Sequence, residues 1–151
     1  MVFRVEYSVP GTTLSARVVA MSMRSILDNI DALSQIAFEL ELVVSESLNN
    51  VAMHSYNDNE NETMRFMAQF DGKTITMSIF DTGRSPNLDR VNRDHSLPEI
   101  EDGTTIFDLP YNGRGLQIVS HIMDEVRFSK IGNENLIQMS KSTTQSHSTC
   151  G

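Results

Sequence analysis

The spacing of apolar and polar residues predicts that the chain begins with a strand and two helices. Residues 3–9 alternate apolar and polar side chains, which is the period of a half-buried strand. A helix is predicted over residues 14–27, with Thr12 or Thr13 as its N-cap. Apolar residues at steps of three and four predict a longer helix from about residue 32 or 34 to residue 56.

The second half of the chain predicts strands on both sides of one more helix. Asp71-Gly72 separates two apolar-rich runs, and this dipeptide favours a tight hairpin. Residues 81–112 show no apolar period, and so long an irregular stretch inside a compact domain is usually functional or mobile. The predicted elements are strands over 63–70, 74–80, 125–131 and 136–141, and a helix over 116–123.

These elements together predict an α+β fold. We expect a two-layer sandwich, in which a mostly antiparallel mixed sheet is covered on one face by helices. A single domain over residues 1–141 suits a chain of 151 residues. Residues 142–151 are rich in Ser and Thr, and we expect them to form a disordered tail.

Charge and composition restrict the classes of function. The formal net charge of −8 disfavours nucleic acids and anionic membrane surfaces as partners, because both require a basic face. The single cysteine, Cys150, excludes a disulfide framework and a Cys-rich zinc site. No apolar run is long enough to span a membrane or to form a signal peptide, so a cytoplasmic protein is expected. A nucleotide remains compatible, since backbone N–H groups can bind phosphate whatever the net charge.

The predicted long helix carries the first candidate chemistry. Glu46, Asn50 and His54 follow one another at steps of four, which places them on one face of an α-helix. A carboxylate can accept a proton, and an amide oxygen one turn away can bind a hard cation. A solvated polar face is the alternative explanation, and for His54 a packing role.

Two glycine-containing segments carry the remaining candidate binding residues. Asp81-Thr82-Gly83 follows a predicted strand, so the carboxylate can accept one hydrogen bond from a ligand while the glycine permits close approach. Gly113-Arg114-Gly115-Leu116 opens a predicted helix, where exposed N–H groups can bind an anion. A plain turn is the alternative for the first segment, and each segment by itself is weak evidence.

The order and spacing of these segments resemble the GHKL (Bergerat-fold) ATPases. Within that superfamily, the runs VSESLNNVAMHSY over 44–56, GRGLQIV over 113–119 and MDEV over 123–126 are similar to those of bacterial anti-sigma-factor serine kinases. The resemblance extends from the first predicted strand to Ser140. One departure is Arg84-Ser85-Pro86, where the family commonly has small or acidic residues followed by Phe.

The resemblance implies a role for each matching residue in binding ATP and Mg²⁺. Glu46 would be the general base, and Asn50 would ligate Mg²⁺. Asp81 would accept a hydrogen bond from the adenine amino group, Gly83 would admit the purine, and residues 82–112 would form a lid. The remaining implied nucleotide-binding residues are His54, Gly113, Arg114, Gly115, Leu116 and Ser140, with a solvent-facing position as the alternative for Arg114.

The resemblance also implies a function and partners. Family members are ATP-dependent serine/threonine kinases and anti-sigma factors that switch between a sigma factor or other regulator and a STAS-type anti-anti-sigma protein, which they phosphorylate. They often dimerise, and Arg17 lies near the position where related proteins contact their partners. The alternative is a catalytically weak module that binds ATP and sequesters a regulator. A histidine kinase core or chaperone-type ATPase is disfavoured, because the chain has no room for the extra domain.

Overall fold

The computed structural model describes residues 1–83 and 111–144, with side chains over 1–83 and 115–144. The elements within these ranges, in chain order, are β1 (Phe3–Gly11), α1 (Thr13–Leu27), α2 (Asp31–Ser34), α3 (Ala37–Asn50), a π-helical turn (Val51–Ser55), β2 (Asn59–Phe70), β3 (Thr74–Asp81), α4 (Tyr111–Ile122), β4 (Glu125–Ile131) and β5 (Glu134–Ser142).

The strands form one sheet in the order β1-β2-β3-β5-β4. Every pairing among the described strands is antiparallel, so the parallel pairing expected for a mixed sheet does not occur among them. The predicted hairpin joins β2 to β3. Its Asp71 carboxylate accepts the N–H groups of Lys73 and Thr74 at 2.8 and 2.7 Å, and these bonds lower the pKa of Asp71. Gly72 supplies the positive φ of 95° that the turn requires.

The helices cover one face of the sheet, which confirms the predicted α+β two-layer architecture. Alternate strand residues point toward the helices, because successive side chains of a strand face opposite sides. Ser47 of α3 donates a hydrogen bond to Met139 Sδ of β5 at 3.3 Å and so fixes the helix against the sheet. The strand residues in this core that have no exposed surface include Met64, Phe66, Ala68, Ile75, Met77, Ile79 and Met139.

Helix α1 forms where the sequence predicts it. The Thr12 hydroxyl accepts the Ser15 N–H at 3.2 Å, which confirms Thr12 as the N-cap. Near the other end, Arg24 pairs with Asp28 and with Glu41 of α3, each at 2.9 Å. The second ion pair joins the two long helices, which pack side by side on the sheet.

The predicted single helix up to residue 56 is wrong. The chain leaves helical geometry at Ile36, whose φ and ψ are −109° and 8°, so α2 and α3 are separate. Beyond Asn50 the backbone widens into the π-helical turn, in which the Tyr56 N–H donates to Val51 O at 3.2 Å. This wider turn ends the α-helical face just after Asn50.

The last strand extends past the predicted end of the domain at residue 141. Ser142 belongs to β5, and its N–H donates to Asp124 Oδ2 at 2.7 Å. The Thr143 N–H donates to Lys73 O at 2.8 Å. Residues 145–151, the remainder of the predicted tail, lie outside the described residues. Among the helices of the described ranges, none has both the length and the apolar character needed to cross a bilayer.

Candidate functional site

Glu46 and Asn50 occupy the last turns of α3, one turn apart and half-buried. The helix presents them away from the sheet because its other face is fixed in the core by Leu40, Val44 and Leu48. Burial raises the pKa of the Glu46 carboxyl above its ordinary 4.5. Among the described residues, no hydrogen bond involves the Glu46 carboxylate or the Asn50 side-chain amide, so the polar atoms of both side chains are available to a ligand.

Helix α4 brings Gly115 directly against this pair. A Cβ added to Gly115 would lie 2.8 Å from Glu46 Oε2, closer than real Cβ atoms approach another heavy atom, and 3.3 Å from Asn50 Nδ2, which is a tight contact. Only glycine therefore allows α4 to come this close with Glu46 in its present position. Glu46 and Gly115 are 69 positions apart in the sequence, and the fold brings them into contact.

Asp81 lies at the end of β3, on the helix-covered side of the sheet, with only 4% of its surface exposed. Its Oδ1 atom accepts the Gly83 N–H and the Asn135 side-chain amide, both at 3.0 Å. The Asn135 amide also donates to Gly83 O at 3.2 Å. One oxygen of this buried carboxylate thus accepts hydrogen bonds from neutral donors, and no cation among the described residues is in contact with the group.

Tyr56 holds the same segment from the other side. Its hydroxyl accepts the Thr82 N–H at 2.7 Å and donates to Thr63 O at 2.9 Å. Gly83 packs so closely on the ring that an added Cβ would lie 2.9 Å from Tyr56 Cε1. Because Tyr56 follows the π-helical turn after Asn50, it connects the end of α3 to the segment that carries Asp81.

Asn135 is a site residue that the sequence reasoning missed. The predicted strand began at residue 136, so Asn135 fell in the preceding turn. In the structure β5 begins at Glu134, and Asn135 pairs directly with Asp81 across β3 and β5. The available signal was the expected antiparallel pairing, since the first residues of β5 must lie opposite the last residues of β3.

Ser140, which the resemblance implies to bind the nucleotide near its adenine, lies far from Asp81, to which the resemblance assigns the adenine amino group. Ser140 pairs with Thr76, five positions along β5 from Asn135, which is about 17 Å at the usual strand rise. Its side chain also faces the other side of the sheet, because buried Asn135 and Met139 occupy the alternate positions. Strand geometry thus separates Ser140 from Asp81 in both distance and face.

The other candidate residues lie in the π-helical turn and in the first two turns of α4. His54 is exposed and lies in the π-helical turn, so the argument from an α-helical face does not extend to it. Leu116 is 39% exposed on α4 beside Gly115. Gly113 and Arg114 belong to the first turn of α4, which begins at Tyr111, earlier than predicted. The Arg84-Ser85-Pro86 departure and most of the predicted lid lie outside the described residues.

Comparison with known proteins gives matches over most of the chain. A family model described as a histidine kinase-like ATPase domain matches residues 9–141. An anti-sigma F factor of Anoxybacillus flavithermus is 27% identical over 142 residues, covering 89% of this chain and 87% of the relative. A serine-protein kinase RsbW of Oceanobacillus iheyensis is 26% identical over 139 residues, covering 91% and 85%. The Bacillus subtilis RsbW is 22% identical over 123 residues, covering 82% and 76%.

Proposed function

This chain belongs to the family of histidine kinase-like ATPase domains, and on that premise we propose that it is an ATP-dependent protein serine/threonine kinase that acts as an anti-sigma factor by partner switching. Its phosphate acceptor is proposed to be a STAS-type anti-anti-sigma protein, and its alternate partner a sigma factor or another regulator. The similar proteins named anti-sigma F factor and serine-protein kinase RsbW support both parts of the proposal.

The contact of Gly115 with Glu46 and Asn50 is the observation that carries the proposal. It joins a carboxylate, an amide and the second turn of α4 at one place, and Tyr56 connects the end of α3 to the segment that carries Asp81. The residues fit ATP with Mg²⁺: Asp81 suits the adenine amino group, Asn50 suits the cation, and the free backbone N–H groups in the first turn of α4 suit phosphate. Bound Mg²⁺ would neutralise charge on the phosphates.

Glu46 is proposed as the general base for the acceptor hydroxyl. Its carboxylate would accept the proton of the attacking Ser or Thr as the hydroxyl oxygen bonds to the γ-phosphorus. The bond between the γ-phosphorus and the bridging oxygen to the β-phosphate would break in the same transfer, and ADP would leave. Burial raises the pKa of Glu46, which makes it a stronger proton acceptor than an ordinary carboxylate. Asn50 would hold the cation from the neighbouring turn, and the N–H groups at the start of α4 would bind phosphate oxygens.

The outer face of α1 is proposed as the contact surface for the acceptor protein. Leu14, Val18 and Met21 are 69%, 52% and 57% exposed at helical spacing, and exposed Arg17 lies among them. The Thr13 N–H donates to Asp58 Oδ1 at 2.8 Å, which ties the start of α1 to the segment following the π-helical turn. An acceptor on α1 would therefore lie close to the end of α3. Homodimerisation stays a prediction.

Incubation with γ-labelled ATP and each STAS-domain protein of the same genome tests the proposal. We expect wild-type protein to label one of them on Ser or Thr, and Glu46→Gln to label it about 10² to 10⁴ times more slowly. Glu39→Gln is the matched control, since Glu39 is exposed on the same helix. ATP binding without labelling of any of these proteins would instead indicate a module that only binds and sequesters.

A further inference from the structure

Asn135 is the one polar side chain of β5 that is almost completely buried, with 5% of its surface exposed. Burying a carboxamide is unfavourable unless its groups are hydrogen-bonded. Its Nδ2 atom donates to two acceptors of one short segment, Asp81 Oδ1 at 3.0 Å and Gly83 O at 3.2 Å. The burial of Asn135 therefore serves to hold residues 81–83.

These bonds divide the two oxygens of Asp81. Oδ1 receives both the Asn135 amide and the Gly83 N–H, whereas no donor among the described residues reaches Oδ2. Two donors on one oxygen restrict rotation of the carboxylate about its Cβ–Cγ bond. Tyr56 independently holds the backbone between them through the Thr82 N–H at 2.7 Å. The second oxygen is thus presented in a fixed direction before any ligand binds.

We propose that Asn135 is a positioning residue that sets the base selectivity of the nucleotide site. This inference rests on the proposed function, in which Asp81 binds the base. A fixed acceptor oxygen stabilises a purine with an amino group at position 6, such as adenine. It repels the carbonyl oxygen that guanine has at the same position. Asn135 contributes by keeping the acceptor in place, without itself having to contact the ligand.

A purely structural role for Asn135 has a different consequence. Loss of a buried clamp that only stabilised the fold would weaken every nucleotide by the same factor. Loss of a positioning residue weakens only the interaction with the amino group, because the sugar and phosphate contacts are made by other residues. The ratio of two affinities separates these roles, whereas one affinity does not.

Calorimetric titration with ATP and with purine riboside triphosphate, which lacks the 6-amino group, tests the inference. We expect the wild-type protein to prefer ATP by about tenfold or more, as for a hydrogen bond to a charged group. In Asn135→Ala the preference should fall to about two- to threefold. Asn133→Ala, the same change at an exposed position of the β4–β5 turn, should keep the wild-type ratio.

The outcomes distinguish this inference from the proposed function. Wild-type protein that binds neither nucleotide would contradict the proposed function. Wild-type protein that prefers ATP, together with an Asn135→Ala variant of unchanged preference, would overturn only the inference. Should Asn135→Ala fail to fold, Asn135→Ser retains a donor on a shorter side chain. Its preference is then expected between two- and tenfold, and a wild-type ratio would again overturn the inference.

Discussion

The two ends of the candidate site differ in how their polar groups are satisfied. The base end is the part around Asp81 that is proposed to bind the adenine base. Here the Asp81 carboxylate already accepts two hydrogen bonds from the protein and is almost fully buried. The phosphate end is the part around Glu46, Asn50 and Gly115 that is proposed to bind the phosphates. Here the side chains of Glu46 and Asn50 are half-buried and have no hydrogen-bond partner among the described residues. At Asp81 one carboxylate oxygen is already held by the protein, whereas at Glu46 and Asn50 no polar side-chain atom has a partner among the described residues.

This difference assigns separate tasks to the two ends. A prearranged acceptor is suited to recognition, because little conformational freedom is lost when the base binds. Side chains without protein partners are suited to chemistry, because in the proposed mechanism Glu46 gains and releases a proton and Asn50 takes up a cation. Gly115 allows α4 to lie directly against Glu46, the proposed general base.

The largest expected effect on binding is that of Asp81→Asn. The two N–H donors would hold the new amide oxygen in the place of Oδ1, so the amide nitrogen would face the adenine amino group. Two donors then oppose each other, and we expect the ATP affinity to fall about ten- to hundredfold in calorimetry. Asp31→Asn, at an exposed position of α2, is the control. An unchanged affinity for ATP would exclude Asp81 from base recognition.

Gly115→Ala should affect the phosphate end while sparing the fold. The added Cβ would displace the flexible end of Glu46, so we expect phosphate transfer to slow by at least about tenfold. The free energy of unfolding should stay the same or rise by up to about 1 kcal/mol, because alanine favours a helix more than glycine does. Transfer rates and denaturant unfolding measure both, with Ser120→Ala of α4 as control. A wild-type rate would show that the close approach is not needed.

Tyr56→Phe should lower the stability of the fold, because the Tyr56 hydroxyl holds the segment that carries Asp81. The change leaves the Thr82 N–H and Thr63 O without the hydroxyl, so we expect a loss of about 1–3 kcal/mol in the free energy of unfolding. Tyr7→Phe is the matched control, since the Tyr7 hydroxyl has no hydrogen bond among the described residues, and should cost less than about 0.5 kcal/mol. Equal losses of unfolding free energy in the two variants would contradict a stabilising role for the hydrogen bonds of the Tyr56 hydroxyl.

The smallest expected effect is the pH dependence that Glu46 gives to stability. Burial raises its folded-state pKa above 4.5, so the folded protein binds this proton more tightly than the unfolded chain. The resulting stabilisation is present below the unfolded pKa and is lost as the pH rises through the raised pKa. Glu46→Gln should therefore gain stability relative to wild type as the pH rises from below 4.5 through the raised pKa of Glu46. A difference that is constant with pH would contradict this, and Glu39→Gln is the control.

Local patterns were sufficient to predict most of the architecture. Alternation located the strands, the Asp71-Gly72 turn joined two of them, and the Thr12 cap marked the start of α1. These features depend on residues close in sequence. The spacing of Glu46 and Asn50 was likewise interpretable, because both lie within a regular α-helix.

The errors concern features that depend on distant residues or on irregular backbone. Asn135 reaches Asp81 across 54 positions, so its role depends on which strands pair and in what register. The place of Ser140 depends on the same pairing, since a shift of one position along β5 moves a side chain to the other face of the sheet. His54 was grouped with Asn50 because no sequence pattern indicated the π-helical turn.

The most direct test of the account compares phosphate transfer at saturating ATP in three proteins. Single-turnover rates would be measured for wild type, Asp81→Asn and Glu46→Gln, each with its acceptor and with nucleotide binding verified in the same samples. We predict that saturated Asp81→Asn transfers within about threefold of the wild-type rate, whereas saturated Glu46→Gln is slower by about 10² to 10⁴. A Glu46→Gln rate equal to that of wild type, or an equal loss in both variants, would contradict the division between recognition and chemistry.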